Sequence, residues 1–354
     1  MAKKYRLSRF AFLQSSAEGF VLMTPLSTLR FVVKNDSIVR LLFQLREPTG
    51  FADLIQSAND AARPTLQRFL LELVGAGLLT MIDDTGRSEE DSNSLACWEF
   101  HDLLFHTRGR AGRNHSPVGA TYRLKGTLPD EPECLEPVSA DIAVSLPIPG
   151  RHFKATCGPE LIVRLKTRRS ERGVGSLSQN QLAELLYRSC GIQASPSKRD
   201  DRPRRAYPSG GGLYPLRVYL LIHSCGELAP GLFLYNAYQH SLASVVPWNE
   251  RVSGLQRDAQ MAAGMKAPPP IVITISSRFR RTAWKYEGIA YRLMLLEAGA
   301  LMQTVSLVAG SMGLASCFLG CGNADLFTEL TGTDYYMETS IAEMLVSAEG
   351  TSHD

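Results

Sequence analysis

Three guanidiniums and a hydroxyl fall within Arg168-Arg169-Ser170-Glu171-Arg172. The planar fork of arginine grips two phosphate oxygens at once, so this cluster is a candidate anion site, although an exposed charged loop would use the same residues. The chain that follows reads as a helix. Ser178 and Gln181 form a capping box, Leu182, Leu185 and Leu186 share a face, and Gly191 lies beyond the end. A basic cluster just before a helix N-terminus is where anions are favoured. The second candidate is Arg205-Ala206-Tyr207-Pro208-Ser209-Gly210-Gly211-Gly212-Leu213-Tyr214-Pro215, which runs into Leu216-Arg217-Val218-Tyr219-Leu220-Leu221-Ile222. Three glycines let main-chain N–H groups approach a flat or anionic ligand unobstructed. Flanking prolines stiffen the loop, and the apolar run after it has the composition of a buried strand. The same residues would also make a tight turn before a strand.

These candidates need a scaffold, and the composition provides for one. The chain has 354 residues, 44% of them hydrophobic and 21% charged, which suits two domains with real cores. A net charge of +3 is too small to argue for nucleic acid or an acidic membrane surface. No uninterrupted apolar stretch of about 18 residues appears, so no membrane span is expected. The start, Met1-Ala2-Lys3-Lys4-Tyr5-Arg6-Leu7, lacks the apolar core of a signal peptide. Seven scattered cysteines (Cys97, Cys134, Cys157, Cys190, Cys225, Cys317, Cys321) show no Cys-x-x-Cys pair, which points to reduced thiols, a cytoplasmic setting and no metal site.

In chain order, residues 1–90 read as one small module. Phe10 to Val33 suggests two short strands, and Asp36 is placed to cap a helix carrying Ile38, Leu41, Leu42 and Leu45. A short helix at Phe51–Ser57 precedes a third helix opened by Pro64, and Leu78–Ile82 reads as a strand. Three helices followed by a strand is a winged-helix order. Arg63, Gln67 and Arg68 on the third helix are offset by Glu72 and the pair Asp83-Asp84, so no basic stripe for phosphates forms. Docking of a peptide or protein and purely structural packing both remain open for this module. Residues 91–160 read as a connector, aromatic at Trp98–His106, basic at Arg108–Arg113, and rich in Pro, Glu and Gly from Leu128 to Cys157, where it is expected to wrap over a surface. Residues 161–349 then alternate helices and strands. Strands fall at Leu216–Ile222, Leu232–Tyr235 and Ile271–Ile275, and a long helix opens at Trp284-Lys285-Tyr286-Glu287-Gly288 and runs to about Met312. The order implies an α+β sheet domain.

Three motifs in sequence, Arg-Arg-Ser-x-Arg, Tyr-Pro-Ser-Gly-Gly-Gly-Leu-Tyr-Pro and Lys-Tyr-x4-Tyr-Arg-x4-Glu-x-Gly, resemble the nitroreductase-like flavoproteins. More narrowly, they resemble the SagB/McbC-type dehydrogenases of azole-modified peptide biosynthesis, over roughly residues 160–349; the winged-helix-like front end is similar to modules that precede some of these oxidases. The resemblance implies a nitroreductase-like FMN-binding domain behind an N-terminal winged-helix-like domain, and a homodimer with FMN at its interface. It implies that Arg168, Arg169, Ser170 and Arg172 hold the FMN phosphate and ribityl chain. Pro208, Ser209, Gly210 and Gly211 would line the isoalloxazine, through main chain and hydroxyl, with Gly212 serving the turn. Phe318, Leu319 and Gly320 would pass near the reactive flavin nitrogen, and Lys285 and Tyr286 would be the acid/base pair. The implied reaction oxidises thiazoline or oxazoline rings, made earlier by a cyclodehydratase, in a peptide. No nucleic-acid or membrane partner is implied.

That chemistry suits the residues. Aromatising an azoline removes a proton from carbon and a hydride to the flavin, so a base must stand opposite the flavin face. A lysine serves there only if desolvation or neighbouring cations favour its neutral form, as Arg280 and Arg281 would. Lys285 as a solvated residue at a helix start is the alternative. Many nitroreductases carry a late basic residue for the phosphate, yet no Lys or Arg follows Arg292 here. Glu297, within an apolar helix stretch, reads as a buried structural partner rather than a catalyst. Two other functions fit less well: a general NAD(P)H-dependent nitroreductase, which leaves the Lys-Tyr pair without a task, and a flavin-free scaffold that docks a leader peptide in a synthetase complex.

Overall fold

The computed structural model describes residues 3–91, 95–96, 99–108, 117, 121–129, 143–147, 159–194, 203–320, 322–335 and 337–348. They divide into two compact units, Met1–Thr121 and Tyr122–Asp354. Most of the expected connector, including Arg110, Arg113 and the bulk of the stretch from Leu128 to Cys157, lies outside the described residues.

The first unit contains β1 (Lys4–Leu7), β2 (Phe12–Ser16), β3 (Gly19–Met23), β4 (Phe31–Val33), α1 (Asp36–Gln44), β5 (Thr49–Gly50), α2 (Phe51–Gln56), α3 (Arg63–Gly75), β6 (Leu79–Ile82) and α4 (Phe100–Arg108). β1 pairs antiparallel with β6 and with the short β5, while β2, β3 and β4 form a separate meander. Phe10 to Val33 therefore holds three strands where two were expected, and β1 precedes them. Asn35, not Asp36, caps α1: its side chain accepts from the Ile38 N–H at 3.2 Å. The two short polar residues compete for one role, and the one with extended backbone takes it. Leu41, Leu42, Leu45, Leu54, Leu70 and Leu73 fill the core beneath the three helices.

The second unit contains β7 (Ala143–Ser145), α5 (Pro159–Thr167), α6 (Gln179–Cys190), β8 (Ile192–Ala194), β9 (Arg204–Arg205), β10 (Leu216–Ile222), β11 (Gly231–Asn236), β12 (Ser241–Pro247), α7 (Glu250–Ala263), β13 (Ile271–Arg278), α8 (Phe279–Ala283), α9 (Ala290–Ser311), β14 (Leu314–Leu319), α10 (Ala324–Thr331) and β15 (Glu338–Ala348). Among the described residues the main sheet has seven strands in the order β14-β15-β13-β10-β11-β12-β7, every neighbouring pair antiparallel. On β10, Leu216, Val218, Leu220 and Ile222 face the core shared with α6 and α9, whereas Tyr219 and Leu221 face the core shared with α7 and α10. A strand covered on both faces must be apolar throughout, which is why its sequence shows a continuous run. The capping box on α6 forms as its sequence implies, with Ser178 and Gln181 bonded reciprocally.

α9 is the long core helix. By length and composition it is apolar enough to cross a membrane. Its inner stripe, Met294, Glu297, Ala298, Leu301, Met302, Val305, Ser306 and Ala309, is buried within this unit. Leu301 is fully buried at its middle. Leu301→Ala should destabilise the fold by about 2–5 kcal/mol, through lost transfer energy plus a cavity. Urea unfolding should then show a lower midpoint with an unchanged slope.

Candidate active site

The triple glycine leaves β9 through Ser209, in extended conformation, and makes one tight turn over Gly210–Gly212. Gly211 has φ +64°, a left-handed conformation that an L side chain resists. A Cβ on Gly211 would also lie 2.6 Å from Tyr286 Oη and 2.9 Å from Lys285 Nζ. The polar tips of the expected acid/base pair thus converge on the main chain of the glycine loop. The loop is pinned at both ends. Ser209 Oγ accepts from the Tyr214 N–H at 2.8 Å and donates to Glu297 Oε2 at 2.6 Å. Arg281 Nε donates to the Leu213 carbonyl. Tyr214 in turn accepts from the Arg205 N–H at 3.2 Å and meets Tyr207 edge-on. A serine hydroxyl has one proton, and that of Ser209 is given to Glu297, so what the loop turns outward is chiefly main chain.

Lys285 and Tyr286 stand on the turn between α8 and α9, not on the helix itself. Both main-chain N–H groups donate to the Thr282 carbonyl, at 3.2 and 2.9 Å, and Gly288 then takes φ +72°, which separates the turn from α9. The apolar spacing runs on through this turn, so periodicity alone extends the helix too far. Lys285 Nζ lies 5.2 Å from the Tyr286 ring centroid and 5.9 Å from that of Tyr122. Arg280 and Arg281 donate to the carbonyls of Pro129 and Leu213. Sequence reasoning missed Tyr122 altogether, since it carries no motif.

Glu297 is buried, at 4% exposure. Burial pushes its carboxyl up to about 7, against the hydrogen bond from Ser209, the Arg205 and Arg281 guanidiniums and the Gly210 N–H, which favour the charged form. Its Oε1 has no hydrogen-bond partner among the described residues. A lone glutamate inside Leu295-Leu296-Glu297-Ala298 was the available signal, and it does mark a buried group.

Arg168, Arg169, Ser170 and Arg172 are all exposed and lie against the edge of the sheet. The Glu171 N–H donates to the Ser316 carbonyl of β14 at 2.9 Å, the Ala348 N–H of β15 donates to the Gly175 carbonyl at 2.8 Å, and Arg169 pairs with Glu171 at 3.0 Å. Ser316 also bonds Ser306 of α9 at 3.0 Å, which ties this edge to the core helix. At the end of β14, Phe318 is partly exposed and Leu319 is buried. Leu319 and Gly320 line an open cleft of about 440 Å³ with Tyr291, Leu295 and Met302 of α9 and with Ser340–Glu343 of β15. The structure therefore gathers Gly211 beside Lys285 and Tyr286, Gly210 beside Leu293 and Ser209 beside Glu297 of α9, and Leu319 and Gly320 beside α9; the arginines do not line this cleft. The donor set fits FMN, with exposed guanidiniums for a phosphate and a main-chain wall without side chains for a flat ring.

An antiparallel sheet between helical layers, with a glycine loop and a Lys-Tyr turn meeting over one core helix, defines a nitroreductase-like oxidoreductase. The chain belongs to the nitroreductase family, whose model matches residues 165–345, and is of the SagB/McbC type. The model of the cyanobactin oxidase ThcOx matches residues 5–115. The putative nitroreductase MJ1384 of Methanocaldococcus jannaschii is 28% identical over 144 residues, 41% of this chain and 69% of that protein. The microcin B17-processing protein McbC of Escherichia coli is 26% identical over 147 residues, 40% of this chain and 53% of McbC, so the match spans about half of McbC. Among solved structures, a chain of the E. coli microcin synthetase McbBCD complex with truncated pro-MccB17 bound is similar at a TM-score of 0.44 and 20% identity, covering 71% of this chain and 92% of that one.

The environment of Glu297 yields a pH prediction. Its folded value, about 7, is raised above the ordinary 4.5. Its contribution to stability is then fully present below about pH 4.5 and is lost as pH rises through 7, on the order of 3 kcal/mol in all. Glu297→Gln removes that titration while keeping an acceptor for Ser209. The difference in unfolding free energy between the variant and the parent chain should therefore grow in the variant's favour from pH 5 to pH 8, measured by denaturant titration at each pH.

Proposed function

We propose that this chain is an FMN-dependent dehydrogenase that converts thiazoline or oxazoline rings of a peptide into thiazoles or oxazoles. The observation that carries the reading is the convergence of Lys285 Nζ and Tyr286 Oη on the Gly211 main chain. A base and a phenol are thereby held at a wall that a flat ring can lie against. Aromatisation breaks two C–H bonds and forms one C=C bond, and a proton and a hydride leave the ring. FMN would supply the hydride acceptor here, with dioxygen as the final oxidant. Lys285, once it has given up its ammonium proton, takes the proton from the ring carbon. Tyr286, one residue on, donates a hydrogen bond that orients the ring or assists the proton transfer.

Around this centre, Arg168, Arg169, Ser170 and Arg172 would hold the FMN phosphate and ribityl chain. Pro208, Ser209, Gly210 and Gly211 would back the ring, and Phe318, Leu319 and Gly320 would close its far side. A homodimer is supported by apolar side chains left exposed in this unit, Tyr291, Leu296, Phe318, Tyr335 and Met337. McbC is named for processing microcin B17, which supports a peptide substrate and work beside the cyclodehydratase that makes the azoline. The matched portion of MJ1384, named a putative nitroreductase, favours a second reading as an NAD(P)H-dependent nitroreductase.

Purified protein should be yellow, and incubation with a cyclised azoline peptide should remove two hydrogens per ring by mass spectrometry. Lys285→Ala and Tyr286→Phe should each retain FMN and lose azoline oxidation by about a hundredfold or more. Wild-type oxidation rates in both variants would sink the acid/base assignment. Reduction of nitroaromatics with NAD(P)H, without azoline oxidation, would establish the second reading, and colourless protein that FMN cannot reconstitute would exclude both.

A further inference from the structure

The segment Tyr122–Pro129 is fastened along the turn that carries Lys285. The Tyr122 N–H donates to the Lys285 carbonyl at 3.1 Å, and the Tyr122 ring stands edge-on to Trp284 at 5.6 Å. Arg123 Nε lies 3.8 Å from Glu287 Oε1, and Arg280 reaches the Pro129 carbonyl. Within the segment the Lys125 N–H closes a turn on the Tyr122 carbonyl at 2.9 Å. Tyr122 has φ +50°, an uncommon conformation for a bulky residue that persists only where the surroundings over-determine it. Lys285 Nζ sits 5.9 Å from the Tyr122 ring and 5.2 Å from the Tyr286 ring, so two aromatic groups flank the ammonium above Gly211. An aromatic quadrupole attracts a cation at such distances, and a ring on each side limits the rotamers of a long, flexible stem.

We propose that Tyr122 is a positioning residue for Lys285, its ring and main-chain N–H together fixing the lysine tip over Gly211. Its importance for the reaction rests on the reading of Lys285 as the base. Local packing alone would also fill this position with an aromatic ring, so the test must read the lysine itself. In the full-length protein, Tyr122→Phe keeps the ring, while Tyr122→Gly removes the ring and relaxes the positive φ, so backbone strain cannot explain a loss. Lys285 is then acylated with an amine-selective reagent, and its modification rate is followed by mass spectrometry against Lys266 as an internal standard.

Tyr122→Gly should acylate Lys285 roughly fivefold faster than the parent chain, the freedom released by losing a cation–π contact, and Tyr122→Phe should match the parent. With an azoline peptide, Tyr122→Gly should lower kcat with little change in KM, and Tyr122→Phe should restore it. Unchanged acylation in Tyr122→Gly, or an equal defect in Tyr122→Phe, would overturn the proposal. If the parent chain oxidises no azoline while acylation responds to the ring, the substrate reading fails and the positioning of Lys285 stands.

Discussion

A glycine-rich loop has too much freedom to serve as a wall unless something outside it removes that freedom. Here the constraint is the hydrogen bond from Ser209 to Glu297 of α9, at 2.6 Å, backed by the Tyr214 N–H on the same hydroxyl. The bond joins the loop's first residue to the buried stripe of the long core helix. Its acceptor is a carboxyl that the apolar stripe would otherwise exclude, and burying such a group is costly unless it is hydrogen-bonded. Gly211 can hold its left-handed conformation beneath Lys285 and Tyr286 because both ends of the loop are fastened, one by Ser209 and the other by Arg281 at Leu213.

The remaining parts of the site depend on the same helix. The turn that bears Lys285 and Tyr286 leads into α9, and Leu293 of α9 packs against Gly210. β14 follows α9 directly and is bonded to it through Ser306 and Ser316; the arginine segment hangs from the same strand by the Glu171 N–H. A change in the position of α9 would therefore move the loop, the Lys-Tyr turn and the β14 end together. The arginines stand apart, exposed at the sheet edge. A phosphate needs charge and donors but little enclosure, whereas a reacting ring needs both faces defined.

Much of this was legible in the residues because it is local. The capping box on α6 uses Ser178 and Gln181, and β10 shows its burial on both faces as an unbroken apolar run. The errors were local competitions as well. Asn35 displaced Asp36 as the cap of α1, and apolar spacing carried the start of α9 across a turn that Gly288 ends. Tyr122 was not legible at all. Its conformation is held by Lys285 and Trp284, which are remote in sequence, and neither composition nor spacing reports such a partner.

By itself, then, the sequence determined α6, β10, β11, β13 and most of α9, the presence of a basic segment, a glycine turn and a Lys-Tyr pair, and the family resemblance those motifs carry. Periodicity, caps and turn residues act over a few positions, so they survive without knowledge of the fold. The tertiary structure decided what those motifs do to one another. It set two polar tips against Gly211, turned the Ser209 hydroxyl inward to Glu297, and raised that carboxyl toward neutrality by surrounding it with apolar side chains. Each of these is a property of distance and burial between segments far apart in the chain, and burial is created only when the chain packs. The triple glycine was a turn in the sequence; packed against α9 and the Lys-Tyr turn, it is one wall of the proposed site.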